Sequence, residues 1–161
     1  MKELDFKVIV DLSGLSIAES VLDKGPIDRN SIKKRIDSDG TPRYTLKMTG
    51  TTIAKTSVNG LFLSEPEIDN MVAGPFVQKR LKNNALYCEM NHPASKDPLV
   101  LRSINQNNLS HRILEFFKEQ QGDYKALCFI METTKQQAGK NLAYMIEDDA
   151  SIAVSLRAHA T

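Results

Sequence analysis

The hydrophobic and polar positions along the chain predict a β-rich domain with two helical stretches. Short runs rich in β-branched and aromatic residues, some alternating with polar ones, predict strands. These runs are residues 6–10, 43–57, 85–90 and 151–158, together with a hairpin formed by residues 109–117 and 124–131. Apolar positions on one helical face predict helices over residues 66–81, with a break at Gly74-Pro75, and over residues 135–147.

Turn-forming and capping residues mark several ends of these elements. Gly122 lies between the arms of the hairpin. The first arm, SHRILEFF, has a spacing that also fits a helix, but the β-rich second arm favours a strand. Gly50 predicts a bulge or turn, and Thr134 is a candidate N-cap for the last helix. Residues 25–43 are polar and turn-rich, and we expect a mobile excursion there.

Composition and charge narrow the class of protein. The chain has 161 residues, enough for one domain with a substantial core, and we assign residues 1–161 to a single domain. A net charge of +1 gives no whole-chain case for binding nucleic acid or an acidic membrane. No apolar run approaches the roughly 20 residues of a membrane helix, and the N-terminus has no signal-peptide pattern.

Metal ions and nucleotide cofactors are not indicated. Cys88 and Cys128 both lie in apolar, strand-like runs, which predicts reduced core residues of a cytosolic protein. The three histidines form no metal-ligand spacing with each other or with cysteine. Neither of the common glycine-rich phosphate-binding motifs is present, so we expect no cofactor.

The residues most suggestive of chemistry are His92 and Ser155. His92 follows a predicted strand and precedes a proline, which ends a strand because it has no N–H to donate. An imidazole fixed at a strand end suits a general base, although it is also an ordinary place for a surface histidine. Ser155 lies on the last predicted strand, and a serine hydroxyl needs a base before it becomes a good nucleophile. Alternatively, Ser155 is an ordinary strand serine.

Two further residues could complete such a site. Arg157 is two positions after Ser155, hence on the same strand face, and an arginine there suits a developing oxyanion. It could equally be a solvated edge residue. Asp97 follows His92 closely and could orient its ring.

The order of several segments resembles that of the prohead, or capsid-maturation, serine proteases of large tailed phages. These proteases are similar in fold to assemblin, the herpesvirus capsid protease. An Asn-His-Pro motif with a downstream Asp-Pro and a Val-Ser-x-Arg motif after a Gly-Lys helix carry the resemblance, with His92 and Ser155 63 positions apart. The segments, in order, are FKVIVDLSG, VNGLF, YCEMNHPASKDP, SHRILEF, YKALCFIMETT, QAGKNLAYMIEDD and AVSLRA.

The resemblance implies an α+β fold with an antiparallel, partly closed β-barrel core surrounded by helices. It implies His92 as the catalytic base, Ser155 as the nucleophile and Arg157 as a contributor to oxyanion stabilisation. It leaves the third member of the site open. We favour Asp97, and the other candidates are His111, His159 and Glu89.

The resemblance also implies a role. The chain would be an endopeptidase that cleaves phage scaffold, core and capsid proteins inside the assembling prohead, in the host cytoplasm. No membrane or nucleic-acid partner is expected, and homo-oligomerisation is left open.

The chain also departs from the family pattern. Cys88 and Leu156 replace a motif glycine and serine, and the arginine and tyrosine expected after Asn59-Gly60 are missing. The sequence also stops six residues after Ser155, where relatives continue. These departures favour an alternative, a catalytically inactive protease-fold protein that serves as a structural or scaffold-associated head component. A small β-rich binding domain with no phage role is a third interpretation.

Overall fold

A computed structural model gives the fold over most of the chain. It describes residues 4–11, 27–55, 62–90, 97, 99, 104–150 and 152–160. For residues 4–11, 153 and 155–160 the description is limited to the backbone.

Within the described residues, seven strands form two antiparallel sheets. The strands are β1 (Leu4–Asp11), β2 (Lys33–Ile36), β3 (Pro42–Ile53), β4 (Tyr87–Glu89), β5 (Leu109–Gln121), β6 (Tyr124–Thr133) and β7 (Ala153–Ala160). Five of them make one sheet in the order β2-β3-β6-β5-β4. The other two, β1 and β7, pair with each other as a separate ladder.

The two strands of the ladder lie near different strands of the larger sheet. β1 is close to β4, and β7 is close to β3. No ladder joins these strands within the described residues, so the five-stranded sheet is not closed into a barrel. The α+β class and the antiparallel sheet are confirmed, while partial closure into a barrel stays a prediction.

Most of the strand predictions are confirmed, and β2 is the strand that sequence reasoning missed. All four residues of β2, KKRI, are exposed, so it has no alternation of buried and exposed positions. Its pairing with β3 is what makes it a strand. The bulge predicted at Gly50 is confirmed by a register shift between Thr49 and Thr51.

Ion pairs centred on Glu132 attach β2 to the rest of the sheet. The Glu132 carboxylate of β6 accepts hydrogen bonds from Arg35 of β2 at 3.2 Å, from Arg43 of β3 at 2.9 Å and from Arg112 of β5 at 2.9 Å. The side chains of Glu132 and Arg43 are about nine-tenths buried. One carboxylate therefore connects β2, β3 and β5 to its own strand, β6.

The helical predictions hold in their main features. The described residues contain α1 (Glu65–Ala73), α2 (Pro75–Lys82) and α3 (Gln137–Glu147). The predicted break at Gly74-Pro75 separates α1 from α2. Ser64 and Glu67 form a reciprocal capping box at the start of α1.

The capping role predicted for Thr134 is wrong. The residue before α3 is Gln136, and it makes no capping side-chain bond. The Thr134 hydroxyl instead donates to the Leu109 carbonyl at 2.6 Å, and its N–H donates to the Ser110 carbonyl at 3.0 Å. Thr134 therefore joins the end of β6 to the start of β5.

The core lies where the three helices pack on the five-stranded sheet. The buried side chains of each helix join one apolar cluster with those of the sheet. Burying such large side chains stabilises the fold by about 1.5–3 kcal/mol each. The cluster includes Leu46, Met48, Ile113, Phe129 and Met131 of the sheet and Ile68, Met71, Val77, Leu142 and Ile146 of the helices. Cys88 and Cys128 are reduced and fully buried, as predicted.

Candidate active site

The two motif residues of the last strand lie on β7. Ser155 is paired with Ile9 of β1, and Arg157 is paired with Lys7. Because successive residues of a strand alternate between faces, Ser155 and Arg157 occupy the same face of β7. The backbone therefore places Ser155 and Arg157 on one face of β7, as the sequence predicts.

His92 lies outside the described residues. The chain segment that leads to it is described up to Met90. β4 ends at Glu89, and Met90 follows it as an isolated bridge residue. The strand predicted to lead to His92 is thus confirmed, and the imidazole follows Met90 by two residues.

Asp97, the favoured orienting group, is exposed. One oxygen of its carboxylate accepts a hydrogen bond from the Leu99 N–H at 2.9 Å. A bond from an aspartate to the backbone two residues on is a local turn interaction. Leu99 is 77% exposed as well, so both residues of this bond face solvent.

His111 has the opposite environment. It lies on β5 directly opposite Cys88 of β4, and its ring is fully buried. Its Nδ1 lies 2.9 Å from the Ser110 hydroxyl, whereas its Nε2 is buried without a hydrogen-bond partner among the residues that the structure describes. Burial lowers the pKa of His111 to about 3, so the ring is neutral at ordinary pH.

His159 lies on β7 opposite Asp5. It is four residues beyond Ser155, which places their Cα atoms about 13 Å apart along an extended strand. If His92 is the base next to Ser155, this separation argues against His159 as the group that orients it. His111 is the better candidate of the two, because it is paired with β4, the strand that precedes His92.

Glu89 is the remaining candidate for the third member of the site. It precedes His92 by three residues in the sequence. The structure shows its carboxylate fully inside the protein, accepting a hydrogen bond from the Asn105 N–H. A charged residue in an apolar strand was the available signal, since a buried carboxylate needs a specific partner.

The described residues contain no group of three or more potential metal ligands. Within the same residues, no helix combines the length and the apolar composition needed to cross a bilayer.

Comparison with solved structures finds a protein of similar fold. The structure is similar to that of the bacteriophage T4 capsid assembly protease, gp21, with a TM-score of 0.60. The similarity covers 98% of this chain and 82% of that chain at 9% sequence identity. No sequence-family model matches the chain, and neither does any curated protein sequence. At 9% identity, the likeness shows a shared fold.

Proposed function

We propose that this chain is a serine endopeptidase that cleaves scaffold and capsid proteins during phage prohead maturation. The observation that carries the proposal is the structural likeness to a capsid assembly protease over nearly the whole chain. The placement of the two sequence motifs supports it, because one follows β4 and the other lies on β7.

The strand arrangement supports a site between β4 and β7. β7 pairs with β1, and β1 lies close to β4. β7 lies about 5 Å from β1 within their ladder, and Cα atoms of β1 lie within 8 Å of Cα atoms of β4, which brings β7 near the end of β4. We propose that the β1–β7 ladder completes a partly closed barrel in this way and brings Ser155 towards His92.

The proposed reaction follows ordinary acyl transfer. The Ser155 hydroxyl attacks the scissile carbonyl carbon while His92 takes its proton. Arg157 or a backbone N–H stabilises the oxyanion that forms. The intermediate collapses to an acyl-enzyme as His92 protonates the leaving amine. Water, deprotonated by His92, then releases the new carboxyl end and restores the serine.

Asp97 and His111 are the competing candidates for orienting His92. Asp97 is exposed and engaged in a local turn, where water weakens its interaction with an imidazolium. A buried nitrogen left without a partner costs about 1–3 kcal/mol, so we expect the Nε2 of His111 to bond to a group in the segment after β4. The burial and the β4 neighbour of His111 support it as the orienting group.

Cleavage of the cognate scaffold protein tests the proposal. We expect Ser155→Ala and His92→Ala to reduce cleavage by at least about 1,000-fold with little change in melting temperature. His111→Gln should lower kcat by at least about 100-fold, and Asp97→Asn should leave it nearly unchanged. Ser38→Ala, an exposed turn serine, is the matched control.

Two outcomes would count against this assignment. Undiminished cleavage by Ser155→Ala would exclude that residue as the nucleophile. An inert wild-type chain with His92 and Ser155 well aligned would favour the alternative, a structural head protein with a protease fold.

A further inference from the structure

We propose that Glu89 and Asn108 are positioning residues that fix the backbone as it leaves β4 and thereby hold His92 in place. The proposal rests on the proposed function, in which His92 is the catalytic base. The group of four residues Glu89, Met90, Asn105 and Asn108 is called the β4 clamp below.

The first half of the β4 clamp is the carboxylate of Glu89. Glu89 is 2% exposed and accepts a hydrogen bond from the backbone N–H of Asn105. The β4–β5 register shifts between Cys88 and Glu89, so that Glu89 is paired with Leu109. The carboxylate thus links the end of β4 to the chain that returns towards β5.

The second half is formed by Asn108 and Met90. The Met90 N–H donates to the Asn108 carbonyl at 3.1 Å, and the Asn108 side-chain amide donates to the Met90 carbonyl. Both backbone polar groups of Met90 are therefore held by one residue. This leaves Met90 little freedom to change direction before His92, two residues later.

The returning chain is itself ordered by local bonds. Asn105 caps a short 3₁₀ turn, Gln106–Asn108, by accepting the Asn107 N–H at 3.0 Å. The Asn105 carbonyl accepts the Asn108 N–H at 3.0 Å. The partner that Glu89 and Met90 bind is thus a rigid turn.

The chemistry of Glu89 indicates a role beyond packing. Removing a carboxylate from water is costly, and an apolar residue would fill the same space without that cost. A charge-assisted bond to a backbone N–H provides a stronger and more directional link than apolar contact. Small displacements of a catalytic group of about 1 Å can reduce rates by about 100-fold, which gives such a link a functional value.

Amide exchange, the His92 ring signal and cleavage kinetics test the β4 clamp together. The variants are Glu89→Ala, Glu89→Gln and Asn108→Ala. The control is Tyr44→Phe, which removes the bond that the Tyr44 hydroxyl on β3, three strands away from β4, donates to Glu147. Glu89→Gln keeps an acceptor oxygen, and it preserves the test if Glu89→Ala does not fold.

We expect Glu89→Ala to raise the exchange rate of the Asn105 amide at least tenfold, and Asn108→Ala to do the same for the Met90 amide. Both should shift the His92 ring resonances and lower kcat about 10- to 100-fold, with KM changed less than threefold. Glu89→Gln should give a smaller effect in the same direction. Tyr44→Phe should lower the melting temperature without any of these changes.

The results separate the clamp from the proposed activity. Unchanged Asn105 exchange or an unchanged His92 signal in Glu89→Ala and Glu89→Gln would overturn the clamp. An equal fall in kcat for Tyr44→Phe would also overturn it, because general destabilisation would then explain the effect. If the wild type does not cleave, the proposed activity fails, and the exchange rates and ring signal still decide the clamp.

Discussion

The imidazole of His111 illustrates how the surroundings of a single residue decide its chemistry. The sequence places it near the start of a predicted strand and offers it as one of several polar candidates. Its complete burial arises from pairing with Cys88, which is 23 positions earlier in the chain. Such non-local pairing cannot be inferred from local spacing, whereas the strand itself can.

Burial of His111 predicts a specific dependence of stability on pH. Burial lowers the pKa of His111 to about 3 in the folded protein, whereas an exposed histidine ordinarily has a pKa of about 6.5. Between these values the unfolded chain binds a proton that the folded chain excludes, so the free energy of unfolding decreases as the pH falls from about 6.5 towards 3. The slope from this one group approaches about 1.4 kcal/mol per pH unit.

Urea unfolding between pH 7.5 and 4.5 measures this effect. The difference between wild type and His111→Gln isolates the histidine from the carboxylates, which titrate in both. Wild type should lose more stability than the variant as the pH falls. Parallel curves for the two proteins would contradict the inferred burial.

At the scale of the elements, the periodicity of apolar residues predicts strands and helices that bury one face. It misses elements that are held by ion pairs or ladder hydrogen bonds instead. The strands β3, β5 and β6 and the break between α1 and α2 follow from spacing and turn residues. β2 does not, because all four of its residues are exposed and ion pairs and ladder bonds hold it. The predicted N-cap of α3 is also wrong, because the Thr134 hydroxyl donates to the Leu109 carbonyl at the start of β5 and does not cap the helix.

The contact between Thr134 and α3 predicts an unusual effect of Gly139→Ala. An added Cβ would lie 2.2 Å from both the carbonyl oxygen and the hydroxyl of Thr134. The hydroxyl can rotate, but the carbonyl belongs to the backbone, so the helix must shift. We expect a loss of about 1–3 kcal/mol in the free energy of unfolding, although alanine is the better helix former by about 1 kcal/mol.

Chemical denaturation measures that loss. Asn141→Ala, at an exposed position of α3, is the matched control, and it should change stability by less than about 0.5 kcal/mol. A Gly139→Ala protein as stable as the wild type would show that α3 is not packed directly against Thr134.

At the scale of the whole molecule, the order of the motifs carried more information than any one of them. No single residue distinguished a protease from an ordinary β-rich domain, yet the succession of segments predicted a fold that the structural comparison supports at 9% identity. Closure of the barrel could not be predicted from the sequence, because it depends on contacts between strands far apart in the chain. The proposed meeting of His92 and Ser155 depends on the same contacts between distant strands.

The separate β1–β7 ladder leads to the last prediction. Ladders that share no hydrogen bonds with the main sheet can open locally without global unfolding. Ile9 is paired with Ser155, and Ile9→Pro removes a backbone donor and restricts the strand at that position. If β1 bridges β4 and β7, this change should displace Ser155 from His92 and reduce cleavage by at least about 100-fold.

Amides of Phe129 and Met131, in the centre of the five-stranded sheet, should keep their protection in hydrogen exchange. Lys33→Pro, at the start of edge strand β2, is the control and should leave cleavage within about threefold. Full cleavage by Ile9→Pro would show that the reaction does not depend on the ladder, and the bridging role of β1 would have to be abandoned.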